Sequence, residues 1–290
     1  MLNHKPLLGI ALMIASTALL STKDGIAKSL LPYISPLQLL TIQFFCTFLI
    51  VGLAAAPRYG WRVLRPVPLL GQFIRGALSI VAVIMLYWAL IYIPLADGTA
   101  MFLLAPIVVT VLSPALLGET LGIRRKIAAI VGFAGVLIIL KPGFTGSAVG
   151  YYIGVTAGVL MGLFLISNRR LAGSQPPILN VAHNGLMGAV AIAPFIPLFW
   201  QNPPAFTLPK LAALVGLAVC GQGLMITSFM FAPAAVLAPY TYTMLVFAVA
   251  IGYVAFGTFP DLATWCGMVL IAGAGLYIAN RERQLAAKSK

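Results

Sequence analysis

The chain has 290 residues, 61% hydrophobic and 8% charged, with a mean hydropathy of +1.05 and a formal net charge of +13. A soluble domain carries roughly a quarter charged residues, so a water-solvated globule is excluded and a lipid-solvated one is required. In hydrocarbon every backbone amide needs an internal partner, which leaves helices or closed barrels. Barrel strands alternate in polarity over about 10 residues. The apolar runs here are unbroken and about 20 long, which is helix length.

In chain order the runs are Pro6–Ser29, Ser35–Ala56, Pro68–Tyr92, Asp97–Leu117, Ile123–Leu140, Gly150–Asn168, Ile178–Trp200, Leu211–Phe231, Ala234–Phe256 and Leu262–Ile278. The first begins like a secretory leader, but it is longer than a leader core, and Lys23, Asp24 and Lys28 interrupt its end. It is expected to be a retained helix. Pro94 and Pro233 mark the two places where neighbouring runs nearly fuse. Proline cannot extend an uninterrupted helix, so a tight helical hairpin is expected at each. Basic residues cluster at 58–65, 124–126, 169–170 and in the 281–290 tail, all on the side holding the N-terminus. Only Lys141 and Lys210 fall on the other side. Positive loops stay cytoplasmic, so both termini are expected inside, and the net charge needs no nucleic-acid partner. The tail reads as a solvated segment touching headgroups. Cys46, Cys220 and Cys266 lie within spans without metal-ligand spacing, so no metal or cofactor is expected.

The chain aligns with itself. An offset of 139 superposes Pro94 on Pro233 and Gly118 on Gly257; an offset of 141 superposes Gly9 on Gly150, Lys28 on Arg169 and Pro36 on Pro177. Five spans per copy is an odd number, so the second copy enters the membrane in the opposite sense. The expected fold class is therefore an all-α integral membrane protein of ten transmembrane helices in two inverted five-helix repeats, 1–141 and 142–280, with a basic tail at 281–290. Such repeats often enclose a substrate site near the midplane.

The stretch 89–140 has a Pro-containing hairpin, a mid-span Pro106, a Gly118–Glu119 span end and a Gly-rich last helix with Gly132 and Gly135. It resembles the first repeat of the drug/metabolite transporter superfamily, EamA type. The second copy carries Ala238–Pro239, Tyr240–Thr243, Phe256–Gly257, Thr264–Trp265 and Gly275–Ile278, and resembles the second repeat of a bacterial subgroup. It departs at Thr258, where the family usually has Glu, and at Gln43, where many members carry Arg. The resemblance covers essentially the whole chain. It implies an inner-membrane carrier of a small metabolite; the subgroup includes carriers suggested for amino acids, S-adenosylmethionine and riboflavin.

Polar residues in a span are costly and should face the bundle interior or water. Asp24 and Lys28 are four apart with the acid first, the better order for a helix ion pair, while Lys23 points about 100° away. Arg75 has no acid within helical reach. Its partner is expected to be Asp24 or an anionic substrate, unless it reaches cytoplasmic headgroups. Its planar fork suits a carboxylate or phosphate. His183 is the lone span histidine, either a packing residue or a proton-sensitive group. Gln43 and Asn184 coincide under the 141 offset. With Gln222, Tyr240 and Tyr242 they complete the expected substrate-binding or gating set, in which at most one of the two tyrosines lines a cavity. Pro94, Pro233, Gly118 and Gly257 are the expected hinges, and Glu119 a cap or loop ion pair. Trp61, Trp88 and Trp200 read as interfacial anchors.

No Walker-type motif is present, so energy must come from a substrate gradient, from protons or from a counter-substrate. An intramembrane enzyme needs converging acids, bases or metal ligands, and one histidine and one deep aspartate do not supply them. A flippase for lipid-linked headgroups would expose polar residues along a lateral groove. The leading expectation is a secondary transporter working by alternating access on a small polar molecule.

Overall fold

The computed structural model describes residues 6–118, 123–140, 148–171, 174–232 and 234–288. Among them there is helix and no strand. The helices are α1 (Pro6–Leu30), α2 (Pro36–Tyr59), α3 (Leu69–Tyr92), α4 (Leu95–Phe102), α5 (Ala105–Leu117), α6 (Ile123–Leu140), α7 (Ala148–Arg170), α8 (Pro177–Ile192), α9 (Ile196–Phe199), α10 (Leu208–Phe231), α11 (Ala234–Leu237), α12 (Thr243–Phe256) and α13 (Leu262–Lys288). Among the described residues, seven stretches are long and apolar enough to cross a bilayer, and Ile127–Ile139, Tyr240–Phe256 and Leu262–Tyr277 are shorter apolar helices.

Local chemistry sets the ends. Ser35 caps α2 by accepting from the Gln38 amide, and Pro36 follows at the first turn, where its missing N–H costs nothing. The helices on either side of Pro94 are separate: Ile93 is extended and α4 starts at Leu95. Pro233 and Glu119 lie outside the described residues. α10 ends at Phe231, followed by an extended Ala232. Gly118 and Gly257 end α5 and α12 in the left-handed region, at φ 69° and 65°, which a Cβ disfavours.

Four expected spans differ in detail. The run Asp97–Leu117 is broken at Leu103–Leu104 into α4 and α5. Pro106 would crowd the carbonyl of Phe102, where α4 stops, and fits the first turn of α5 instead. The run Ala234–Phe256 holds a 3-10 stretch, Ala238–Tyr242, around Pro239. Near Pro194 and Pro197, Ile178–Trp200 passes through another, Ala193–Phe195. Beyond Ile278, α13 continues unbroken to Lys288, so most of the basic tail is helical.

The helices pair along their length: α1 with α10, α3 with α7, α2 with α8 and α6 with α13. α1 also meets α12, α7 meets α4 and α5, α3 meets α8 and α2 meets α10. On α7, Gly150, Gly154, Gly158 and Gly162 recur every fourth residue, forming one ridge that lies on Tyr92, Ile93, Met101, Leu104 and Val108. With no hydrophobic drive between helices in lipid, small residues that allow backbones to approach hold such contacts. Large exposed apolar groups lie on many of the helices, among them Leu53, Ile130, Leu198 and Val254, as a lipid-facing surface requires. Trp61, Trp88 and Trp200 are also exposed.

Candidate functional site

Among the described residues, charge is buried in two places. The first lies between α1 and α3. Lys23 and Asp24 form an ion pair of 2.6 Å, 7% and 4% exposed. Tyr87, fully buried on α3, accepts from Lys23 Nζ at 2.9 Å and donates to Asp24 Oδ1 at 3.0 Å. The sequence expectation of an Asp24–Lys28 pair is therefore corrected. Lys28 instead donates to the carbonyl oxygens of Leu90 and Ile93, at 2.7 and 2.5 Å. Those carbonyls lie at the C-terminal end of α3, where backbone acceptors are unsatisfied and the helix dipole is negative, so a lysine is better placed there than beside an acid already paired. Next to this group, Tyr151 on α7 donates to Asp97 Oδ2 at 2.6 Å.

The second place is the α2–α3 end of the bundle. Arg75, 3% exposed, donates from Nη1 to Asn168 Oδ1 at 3.3 Å and from Nη2 to the Asn180 carbonyl at 2.5 Å. Its Nε has no partner. These partners are uncharged, so the expected pairing with Asp24 does not occur, and burial rules out a headgroup-facing position. Gln72, one turn earlier, donates to the Val67 carbonyl and to Asn180 Oδ1. His183 is fully buried. Its Nε2 lies 3.1 Å from the carbonyls of Arg62 and Val63, and its Nδ1 lies 2.5 Å from Gln175 Oε1. The ring thereby ties α8 to the 3-10 segment Gly60–Leu64.

Between these groups, α2, α3 and α8 carry a third set of polar atoms. Asn184 donates to Ser79 Oγ at 3.1 Å, while Asn184 Oδ1, Gln43 Oε1 and Thr47 Oγ1 are buried without a partner. Unpaired buried polar atoms are expensive, so these three stand out from the packing around them. The two tyrosines have different neighbours. Tyr240 joins Met13, Ala232 and Leu237 beside α1 and α10. Tyr242, 8% exposed, lies over Gly275 on α13, its hydroxyl unpaired. Gln222 is half-buried on α10. The three cysteines are free.

The structure thus gathers Asp24 with Lys23, and Arg75 with His183 through Asn180 and Gln175. It keeps Tyr240, Tyr242 and Gln222 in the second half, apart from Arg75. Tyr87, Gln72 and Asn168 were missed. Gln72, Arg75, Gly76 and Ser79 fall at i, i+3, i+4 and i+7, which marks one polar helical face. Nothing in the sequence distinguishes Tyr87 from an interfacial aromatic.

Residues 7–141 and 148–280 each match the EamA-like transporter family. An S-adenosylmethionine uptake transporter of Rickettsia bellii is 25% identical over 281 residues, spanning 97% of this chain and 96% of its own. A riboflavin transporter of Vibrio cholerae is 25% identical over 242 residues, 79% and 76% of the two chains. An uncharacterised transporter of Helicobacter pylori is 33% identical over 196 residues, 64% and 65%. A solved crystal structure superposes with a TM-score of 0.64 at 24% identity, covering 96% of this chain and 98% of its own, and so shares the fold.

Proposed function

This chain belongs to the EamA-like transporter family, and on that premise we propose that it is a secondary carrier moving a small polar metabolite across the bacterial inner membrane by alternating access. Membership makes it an integral membrane transporter and not an enzyme. The proposal takes the apolar stretches as ten crossings in two oppositely oriented copies, 1–141 and 142–280, with both termini cytoplasmic.

One observation supports this most directly: the helix contacts keep their pattern when the copies are exchanged. α1 on α10 corresponds to α3 on α7, α1 on α12 to α7 on α4 and α5, and α2 on α10 to α3 on α8; α2–α8 and α6–α13 correspond to themselves. The match reaches single residues. Thr17 bonds Thr243 and Ser21 bonds the Met244 carbonyl. At the 141 and 139 offsets, Gly158 lies on Leu104 and Gly162 on the Ala105 carbonyl.

In this reading the α2–α3 end is a cytoplasmic closure built from Gln72, Arg75, Asn168, Asn180 and His183. Its counterpart at the far end is apolar: positions equivalent to Gln72, Arg75 and Asn180 are Leu211, Leu214 and Leu39, which share one core cluster. Exchanging which closure is open gives alternating access. Gln43 and Asn184 contribute ligand acceptors from facing copies. Gln222, Tyr240 and Tyr242 contribute from the second copy, and Pro94, Pro233, Gly118 and Gly257 act as hinges. Asp24 or His183 carries any coupled proton. The names of the relatives support a substrate such as an amino acid or related metabolite, a nucleotide-like compound or a vitamin. The test is a metabolite screen by thermal shift on purified protein, followed by proteoliposome flux of each hit, with reporters fused to both ends. Saturable flux and reporters on one side are expected. Reporters on opposite sides, or binding without flux, overturn the reading.

A further inference from the structure

Lys23 and Asp24 bury opposite charges at adjacent positions of α1, with the Tyr87 hydroxyl bridging them. Stability does not account for them. A buried pair is on average no better than apolar residues of the same volume, because desolvation offsets the attraction. Helix docking does not require them either: α1 is already fixed by Ser16 on the Gly221 carbonyl, Thr17 on Thr243 and Ser21 on the Met244 carbonyl. Ionisable groups retained inside a membrane mark the path of a substrate or ion.

We propose that Lys23, Asp24 and Tyr87 form the subsite for the ammonium and carboxylate of a zwitterionic substrate, a free α-amino acid or a larger molecule that ends in one. The proposal rests on the carrier reading above and names its substrate class. Binding is an exchange of partners. The substrate carboxylate takes the place of Asp24 at Lys23 Nζ. The substrate ammonium takes the place of Lys23 at Asp24 Oδ1. The Tyr87 hydroxyl, both donor and acceptor, serves either arrangement. No proton moves and the site stays neutral, loaded or empty. When empty, the two side chains satisfy each other, so the carrier can close without cargo.

Selectivity follows from the same exchange. A ligand with only a carboxylate would leave Asp24 buried without a cation, and one with only an amine would leave Lys23 without an anion. Either orphan is a severe penalty in a low-dielectric site. Arg75 does not offer this discrimination: its partners are Asn168 and the Asn180 carbonyl, both uncharged, and among the described residues no carboxylate pairs with it.

The experiment uses the full-length protein, measuring binding by thermal shift and flux in proteoliposomes with two panels of probes. One holds L-α-amino acids and S-adenosylmethionine. The other holds the N-acetyl and methyl-ester derivatives of the same amino acids, and riboflavin. We expect a member of the first panel to bind and move, and its blocked derivatives to bind at least about tenfold more weakly. The neutral double variant Lys23→Met/Asp24→Leu should lose about tenfold or more in affinity for that member while melting like the wild type. A blocked derivative as good as its parent overturns the subsite on wild-type protein alone, whatever the variant does. So does riboflavin moving while the first panel is silent, and the carrier reading then stands. Silence of both panels in binding and flux also overturns the subsite, whereas the carrier reading falls only if the wider metabolite screen above yields no saturable flux.

Discussion

The Lys23–Asp24 pair makes a sharp energetic prediction. Replacing Lys23 with Met leaves the Asp24 carboxylate 4% exposed, with Tyr87 the one partner that remains at Oδ1. Breaking a buried pair from one side costs about 3–5 kcal/mol, because the surviving charge stays desolvated. Asp24→Leu strands Lys23 in the same way and should cost a similar amount. The double variant Lys23→Met/Asp24→Leu removes both charges and keeps apolar volume, so it should lie within about 1 kcal/mol of wild type, on either side. The coupling energy of the cycle then exceeds the cost of either single change, well above the usual range of about 0.5–3 kcal/mol for neighbouring residues. Reversible unfolding in mixed micelles, driven by rising SDS and followed by helical circular dichroism, measures all four corners. Two single costs that add up to the double cost within about 0.5 kcal/mol would refute the reasoning.

Asn168→Ala removes the acceptor at 3.3 Å from Arg75; a bond to a charged donor is worth about 1.5 kcal/mol at its weak end. A cysteine placed at Ser79, in a background lacking the three native cysteines, should then react about tenfold faster with an impermeant maleimide added from the cytoplasmic side; an unchanged rate would show that Asn168 does not hold that closure. Gly158→Val drives a side chain into the Met101 carbonyl and Leu104 and should cost about 1–3 kcal/mol by overpacking. Gly216→Ala, with open space around it, should be neutral or stabilising by up to about 1 kcal/mol in the same unfolding assay. Gly257→Ala and Gly118→Ala force a Cβ into the left-handed region and should each lower stability by about 1–2 kcal/mol; a smaller loss at both would place these helix ends under no such constraint.

The helices were legible because apolar run length and proline position are local properties. Ile123–Leu140 is helical throughout, as its apolar run implies, and the separation at Pro94 follows from proline geometry alone. The break at Leu103–Leu104 was also encoded, since Pro106 fits a first turn better than a helix interior, but the run of apolar residues around it masked the signal. Side-chain partners were much less legible. Spacing favoured Lys28 for Asp24, yet a lysine is long enough to fold back on its neighbour, and the α3 carbonyls that claim Lys28 come from another helix. Arg75 was recognised as needing a partner from elsewhere. That the partners are Asn168 and a backbone carbonyl depends on how α3, α7 and α8 meet, which no single helix specifies. Tyr87 shows the limit most clearly: its ring looks like any aromatic near a span end, and only its hydroxyl's two neighbours give it a role.

The two ends of the bundle are sealed by different forces, and temperature distinguishes them. Leu39, Leu211 and Leu214 hold one end by excluding water, a drive that fades on cooling. Arg75, Asn168 and Asn180 hold the other by directional polar contacts that do not share that heat-capacity signature. On the carrier reading proposed above, a chilled membrane should therefore loosen the leucine seal first, leaving the protein resting open at that end in the cold and more evenly poised when warm.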